Sequence, residues 1–272
     1  MSAPASAGFR TVEDVPAEVR GGLASLLLSM ADNKRLLGMR YAEWLLGAPT
    51  LEAGIACSAM AQDEWGHSRI LYAMLKDFGR DPGQLEHDRP AEEYCSCESL
   101  DEPPGSWSGL VALNLLLDSA LSVQFESLRE SRFEPLHYKV RKLLEEERFH
   151  FEHGRGWVAR LALTEAGRED LRNAMTPVWE ACLRWFGAPE GNVVSRLAET
   201  GITDAGPDAL RDRWLERVGP IVAEAGLGLA EVAEDGSWRS TVQPDWSDWD
   251  GERRRSGFGG QNAETLAGVR GD

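Results

Sequence analysis

In AQDEWGHSRILYAML, Glu64 and His67 stand three residues apart within a segment of helical apolar spacing, and LLEEERFHFEHG repeats the spacing with Glu147 and His150. Three residues is almost one helical turn, so each pair leaves one face of its helix. A carboxylate and an imidazole repeated on two helices, against apolar neighbours, constrain the fold to one that turns those faces toward each other. Helix bundles build dinuclear metal sites this way: E-x-x-H on two helices, one carboxylate from each of the other two. Each pair can equally be a salt bridge on a solvated helix face.

The rest of the chain reads as the other walls of a bundle. Apolar residues recur at helical spacing from about Glu18 to Leu46, through Leu23, Leu26, Leu27, Met30, Leu37, Tyr41, Trp44 and Leu45. GAP at 47–49 breaks that helix, and Thr50 is a fitting N-cap for a second one to about Phe78. A long connection rich in Pro, Gly and acid follows, suited to a crossover along the bundle. A third helix is predicted from about Gly109 to Ser131 and a fourth from Pro135 to about Leu163. Further helices are predicted near 166–186, 190–200 and 207–225. From Gly226 the periodicity fades into an extended tail, with Trp238, Trp246 and Trp249 among acids, that packs on the body or on a partner. The fold class is all-α, with an N-terminal extension (1–17), a helical domain (18–225) and a C-terminal tail (226–272). No internal period suggests a solenoid.

The third helix carries the strongest single signal. LVALNLLLDSALSVQF holds Asp118 inside an almost unbroken apolar run. An unpaired carboxylate there would cost several kcal/mol, so it must be exposed, paired or metal-bound. Glu134 and His137 share the E-x-x-H spacing, but Pro135 disfavours helical geometry at Glu134, placing that pair at an exposed helix start. His87 and His153 lack such a partner and read as surface histidines.

Charge narrows the partners. With 29 basic and 45 acidic residues the formal net charge is −16, which repels nucleic acid and anionic membrane surfaces. No apolar run approaches the roughly 20 residues that span a bilayer. The N-terminus lacks a basic start and apolar stretch, so a cytoplasmic location is expected. Cys57, Cys95, Cys97 and Cys182 offer no second pair to complete a thiolate zinc site and read as reduced thiols.

QDEWGHSRILY, LLLDSAL, EEERFH, TPVWEACLRWFGAPE and the GAPTL turn together resemble the ferritin-like subunits of the bacterial multicomponent phenylacetyl-CoA epoxidase, and more distantly benzoyl-CoA epoxidase. The likeness runs from about Asp32 to Glu190. It implies a ferritin-like four-helix bundle with additional C-terminal helices, and Glu64, His67, Asp118, Glu147 and His150 as ligands of a non-haem diiron centre; manganese or a mixed centre would use the same donors. It implies a monooxygenase component acting on an aromatic acyl-CoA thioester, with a second ferritin-like subunit and a reductase as partners in a homo- or hetero-oligomer. The sixth ligand, a glutamate in the catalytic subunit, falls here in ADNKRLLGM at Lys34 or, with a one-residue gap, Arg35. The surrounding DN and LLG resemble the non-catalytic structural subunit instead. Asp32 could substitute only if helix one rotates or bulges. Two consequences stand open: a five-ligand metal site with Lys34 displaced, or a metal-free core in which the Lys34 ammonium pairs with Glu64 or Glu147. The second makes the chain a structural subunit stabilising a catalytic partner, a role the tail tryptophans also suit. A ferroxidase or iron store fits the acidic charge but not the tail or the resemblance. Arg69, Lys76 and Arg80 could meet CoA phosphates, though solvated surface is the simpler reading of each.

Overall fold

The computed structural model describes residues 8–188 and 193–257. The parts of the N-terminal extension and tail outside these limits, and the start of the helix expected near 190, lie outside the described residues. Four long helical walls form the body: α1 (Ala17–Glu43), α2 (Leu51–Leu75), a continuous helix made of α4 (Trp107–Ala112), a π-wound turn (Leu113–Asp118) and α5 (Ser119–Ser127), and α6 (Glu134–Leu161). The chain is an all-α ferritin-like bundle. Local chemistry sets the helix starts: Thr50 Oγ1 accepts from Ala53 N at 3.2 Å, and Ser106 Oγ from Gly109 N at 3.1 Å. Pro135 sits in the first turn of α6.

α1 and α2 pack as a hairpin whose axes approach closely at Gly38, where a Cβ would stand 2.7 Å from Trp65 Nε1 and 3.1 Å from Ala61 O. α6 meets the π turn as closely at Gly154, where a Cβ would lie 2.7 Å from Asn114 Oδ1. α7 (Glu165–Trp185), α8 (Val193–Glu199) and α9 (Pro207–Glu224) cover the bundle. Trp179, Trp185 and Trp214 are fully buried beneath them. Trp214 Nε1 donates to Leu116 O at 3.0 Å, satisfying a carbonyl of the irregular turn.

The helix Trp107–Ser127 corrects one expectation. This helix of 21 residues, whose most apolar stretch has mean hydropathy 1.4, is long and apolar enough to cross a membrane. Of its apolar window 94% is buried inside the protein, because this helix is the central stave of the bundle and meets other helices on every side.

The crossover between α2 and α4 holds the short α3 (Pro82–His87) and is pinned to α1 by two adjacent side chains. Asp32 pairs with the Arg89 guanidinium and accepts from Tyr72 Oη at 2.6 Å and Cys95 N at 2.8 Å. Asn33 Oδ1 accepts from Cys97 N at 2.9 Å. The C-x-C stretch is therefore a docking strip for the loop, its thiols buried and reduced. Beyond α9 the chain is not simply extended. β1 (Ala230–Val232) pairs with β2 (Trp238–Ser240), and β3 (Trp249–Asp250) with β4 (Arg255–Ser256), each antiparallel. The Trp238 ring fills the space a Cβ at Gly219 would need, 2.9 Å away. Arg255 pairs with Asp101 in the crossover.

Removing one partner of a buried ion pair costs about 3–5 kcal/mol. Asp32→Ala is therefore expected to lower the melting temperature by about 10 °C in a chain this size. Limited proteolysis of that variant should cut first between residues 88 and 100; an unchanged melting temperature and digestion pattern would mean that Asp32 does not anchor the crossover.

Candidate functional site

The structure brings all five expected residues into the bundle centre and adds Lys34 among them. Glu64 and His67 come from α2, Asp118 from the end of the π turn, Glu147 and His150 from α6, and Lys34 from α1. Each is at most 3% exposed. Glu64, Asp118, Glu147 and His150 each offer a ligand atom within 4.8 Å of the others.

Lys34 Nζ lies 3.0 Å from Glu64 Oε1, 2.5 Å from Asp118 Oδ1 and 2.5 Å from Glu147 Oε1. An ammonium has three N–H donors, and here each meets a carboxylate. Burial by itself would lower the Lys34 pKa, but Asp118, Glu147 and Glu64 outweigh it and hold the ammonium protonated. Arg35, the other candidate for the sixth position, points elsewhere and pairs with Glu86 at 3.1 Å. Asp32 is committed to Arg89 and does not substitute.

The histidines complete the charge balance. His150 Nδ1 stands 3.1 Å from Asp118 Oδ2 and 3.2 Å from Glu64 Oε1, while Nε2 reaches Asp63 Oδ2 at 3.3 Å. His67 Nδ1 is 3.0 Å from Glu147 Oε1, and Nε2 is 2.7 Å from Glu146 Oε2. The outer contacts are exchanged between helices: Asp63 of α2 serves His150 of α6, and Glu146 of α6 serves His67 of α2. Burial opposes protonation of both rings, but the hydrogen bond to Asp118 raises the pKa of His150, and the close Glu147 carboxylate raises that of His67. Burial likewise opposes ionisation of Asp118, but Lys34 and His150 hold it well below the usual carboxylate range. Glu64 is pushed up to about 7 by burial and by the neighbouring Asp118 charge. Its Oε2 has no hydrogen-bond partner among the described residues. With Glu64 ionised, three inner carboxylates face three cations.

A ring of neutral groups holds this cluster. Tyr41 Oη donates to Asp118 Oδ2 at 3.0 Å, Asn114 Nδ2 to Tyr41 Oη at 2.8 Å, and Ser122 Oγ to Glu147 Oε2 at 2.8 Å. The π turn lets Asn114 and Asp118 meet the same tyrosine, the kind of local unwinding found at functional sites. His153 is not a surface residue. It lies half-buried between Trp107 and Trp157, with Nδ1 3.2 Å from Asn114 Oδ1. Burial and the His150 charge push its pKa down to about 4, so it stays neutral. Glu134 and His137 do lie at a helix start, away from the centre. Tyr41, Asn114, Ser122, Asp63 and Glu146 were not singled out from sequence; Tyr41 could have been, seven residues from Lys34 on the same face of α1.

As arranged, the donors do not fit a dinuclear metal centre. The Lys34 ammonium takes one oxygen from each inner carboxylate, and both imidazoles are directed at carboxylates. Among the described residues Glu64 Oε2 and His67 Nδ1 are the ligand-type atoms of the centre without a hydrogen-bond partner, and two such atoms are too few to hold two cations.

Fold and site together define the class: a ferritin-like helical bundle with a buried carboxylate–histidine centre. The family of phenylacetic acid catabolic proteins matches residues 5–243, and the chain belongs to it. Over 212 residues it is 27% identical to the C-type subunit of the 1,2-phenylacetyl-CoA epoxidase of Escherichia coli strain K12, an alignment covering 77% of this chain and 84% of that relative.

The cluster has a defined pH signature. The raised pKa values of His67 and His150 give stability that is fully present below the unfolded value of about 6.5 and lost as pH rises beyond it. Glu64, raised from 4.5 to about 7, contributes fully below about 4.5 and loses that contribution as pH rises from there to about 7. Asp118, depressed, contributes above its ordinary value of 3.8 and loses that contribution on acidification through its folded pKa. Urea denaturation should therefore give greater stability near about pH 5 than near about pH 8. The fall above about pH 6.5 should be shallower in His150→Gln; an identical slope would mean that His150 is not charged in the folded protein. Lys34→Met, which strips the inner carboxylates of their shared cation, is expected to cost about 3–5 kcal/mol by the same denaturation.

Proposed function

We propose that this chain is a non-catalytic ferritin-like subunit of an epoxidase-type oxygenase of phenylacetate catabolism, with a metal-free core, whose work is to stabilise a catalytic ferritin-like partner in the cytoplasm. The observation that carries this reading is Lys34 Nζ, within 3.0 Å of three carboxylates that would otherwise ligate metal. An ammonium cannot bind dioxygen or change oxidation state, so it supplies the charge of a cation without its chemistry. The likeness to the C-type subunit of the Escherichia coli enzyme supports the same assignment. In the assembled oxygenase the partner would hold the metal, take electrons from a reductase and act on the aromatic acyl-CoA.

The catalytic reading has one supporting feature. Glu64, His67, Asp118, Glu147 and His150 are all retained, and a diiron centre would draw on these residues. Iron content after anaerobic iron(II) loading separates the two. The natural chain is expected to retain no tightly held iron. Lys34→Glu, which completes the six-residue donor set, is expected to gain about two irons per chain. Two irons in the natural chain, lost in His67→Ala, would overturn the structural-subunit reading and favour the catalytic one.

A further inference from the structure

Between the first turns of α1, the end of α2, α8 and the β3–β4 hairpin lies a cavity of about 760 Å³. Arg80, Arg196 and Arg254 stand on its walls, with Trp249 beside them. None of the three arginines has a carboxylate within ion-pair distance among the described residues. Two acidic side chains share the wall. Asp250 is engaged by the backbone N–H groups of Glu252 and Arg253, at 2.9 and 3.1 Å, and lies 3.9 Å from Arg253 Nε. Glu252 is exposed to solvent.

Arg254 is the residue that asks for an explanation. It is 2% exposed and has φ 57°, a left-handed conformation uncommon for a long side chain. Its guanidinium lies 4.6 Å over the Trp185 ring and donates to Trp185 O at 2.6 Å, while Nε is buried without a hydrogen-bond partner among the described residues. Burial pushes its pKa down to about 10, with no carboxylate to oppose the shift. The adjacent Arg255 is as deeply buried but is paired with Asp101. One arginine of this pair has a buried carboxylate partner; its neighbour is held, at conformational and desolvation cost, on the wall of a cavity. Such strain points to function when the surrounding structure enforces it.

We propose that this cavity binds a phosphate-bearing ligand of mononucleotide size, its phosphates held by Arg80, Arg196 and Arg254 and its base laid against Trp249. The planar guanidinium fork matches phosphate oxygens, and charge-assisted bonds of this kind are the strong ones. The volume is that of a small-molecule site and far exceeds one inorganic phosphate. Gly21 keeps the α1 wall low: nothing lies within 4 Å of where a Cβ would stand. In a chain of net charge −16 the long-range field repels anions, so affinity has to come from local, carboxylate-free arginines.

The test is calorimetric titration of the full chain with ADP and with pyrophosphate. One saturable ADP site, competed by pyrophosphate and weakened about tenfold or more in Arg80→Gln and in Arg196→Gln, is expected. Both residues are exposed, so these variants should fold even if Arg254→Gln does not. Trp249→Ala should weaken ADP and leave pyrophosphate unchanged. No saturable ADP binding up to about 5 mM, or unchanged affinity in both exposed-arginine variants, would overturn the proposal.

Discussion

The contact on which the bundle centre depends is the meeting of one ammonium with three carboxylates. Glu64, Asp118 and Glu147 come from three different helical walls, and Lys34 from the fourth. Placed together without a cation, three negative charges in a low-dielectric interior would drive the walls apart or take up protons. Lys34 answers this with three donors for three acceptors. The histidines, each held between an inner carboxylate and an outer one on the opposite E-x-x-H helix, bring the remaining positive charge. The inner carboxylates are thus balanced by cations from three of the walls at one level, which ties the relative rotation and height of the walls together.

Such a core is not a cheap way to gain stability. Buried ion pairs recover their desolvation cost only with good geometry and full hydrogen bonding, and apolar replacements are often at least as stable. What the cluster supplies is specificity of packing: in this rotation of α1 Nζ meets three acceptors from three other walls. A metal pair would serve the same geometric purpose with different chemistry. A lysine ammonium at this point therefore holds the walls together while supplying only charge.

The periphery follows the same logic of pairing across elements. Asp32 and Asn33, next to Lys34 in sequence but on other faces of α1, hold the crossover; Asp101 in that crossover holds Arg255 of the tail. One turn of α1 thus organises both the bundle centre and the long loop that covers it. Arg254 departs from this pattern, being buried like its neighbour but unmatched by any carboxylate among the described residues.

Much of this was legible in the chain itself. The helical spacing fixed the long helices to within a few residues, because capping residues such as Thr50 and breakers such as GAP mark their ends locally. The paired E-x-x-H spacings and an aspartate inside an apolar run marked the residues that meet, because burying such groups unpaired is too costly to be accidental. The sequence could not choose between Lys34 displaced and Lys34 installed, since that depends on the rotation of α1, a property of packing. Nor could it show the π turn: LNLLLD is apolar on nearly every side, so its pattern reads alike at about 3.6 or 4.4 residues per turn. The exchange of Asp63 and Glu146 between histidines, the burial of His153 and the isolation of Arg254 are likewise decided by which helices lie side by side. Local propensity and the cost of burying charge are written residue by residue; the partner that meets each charge is set only when the walls close.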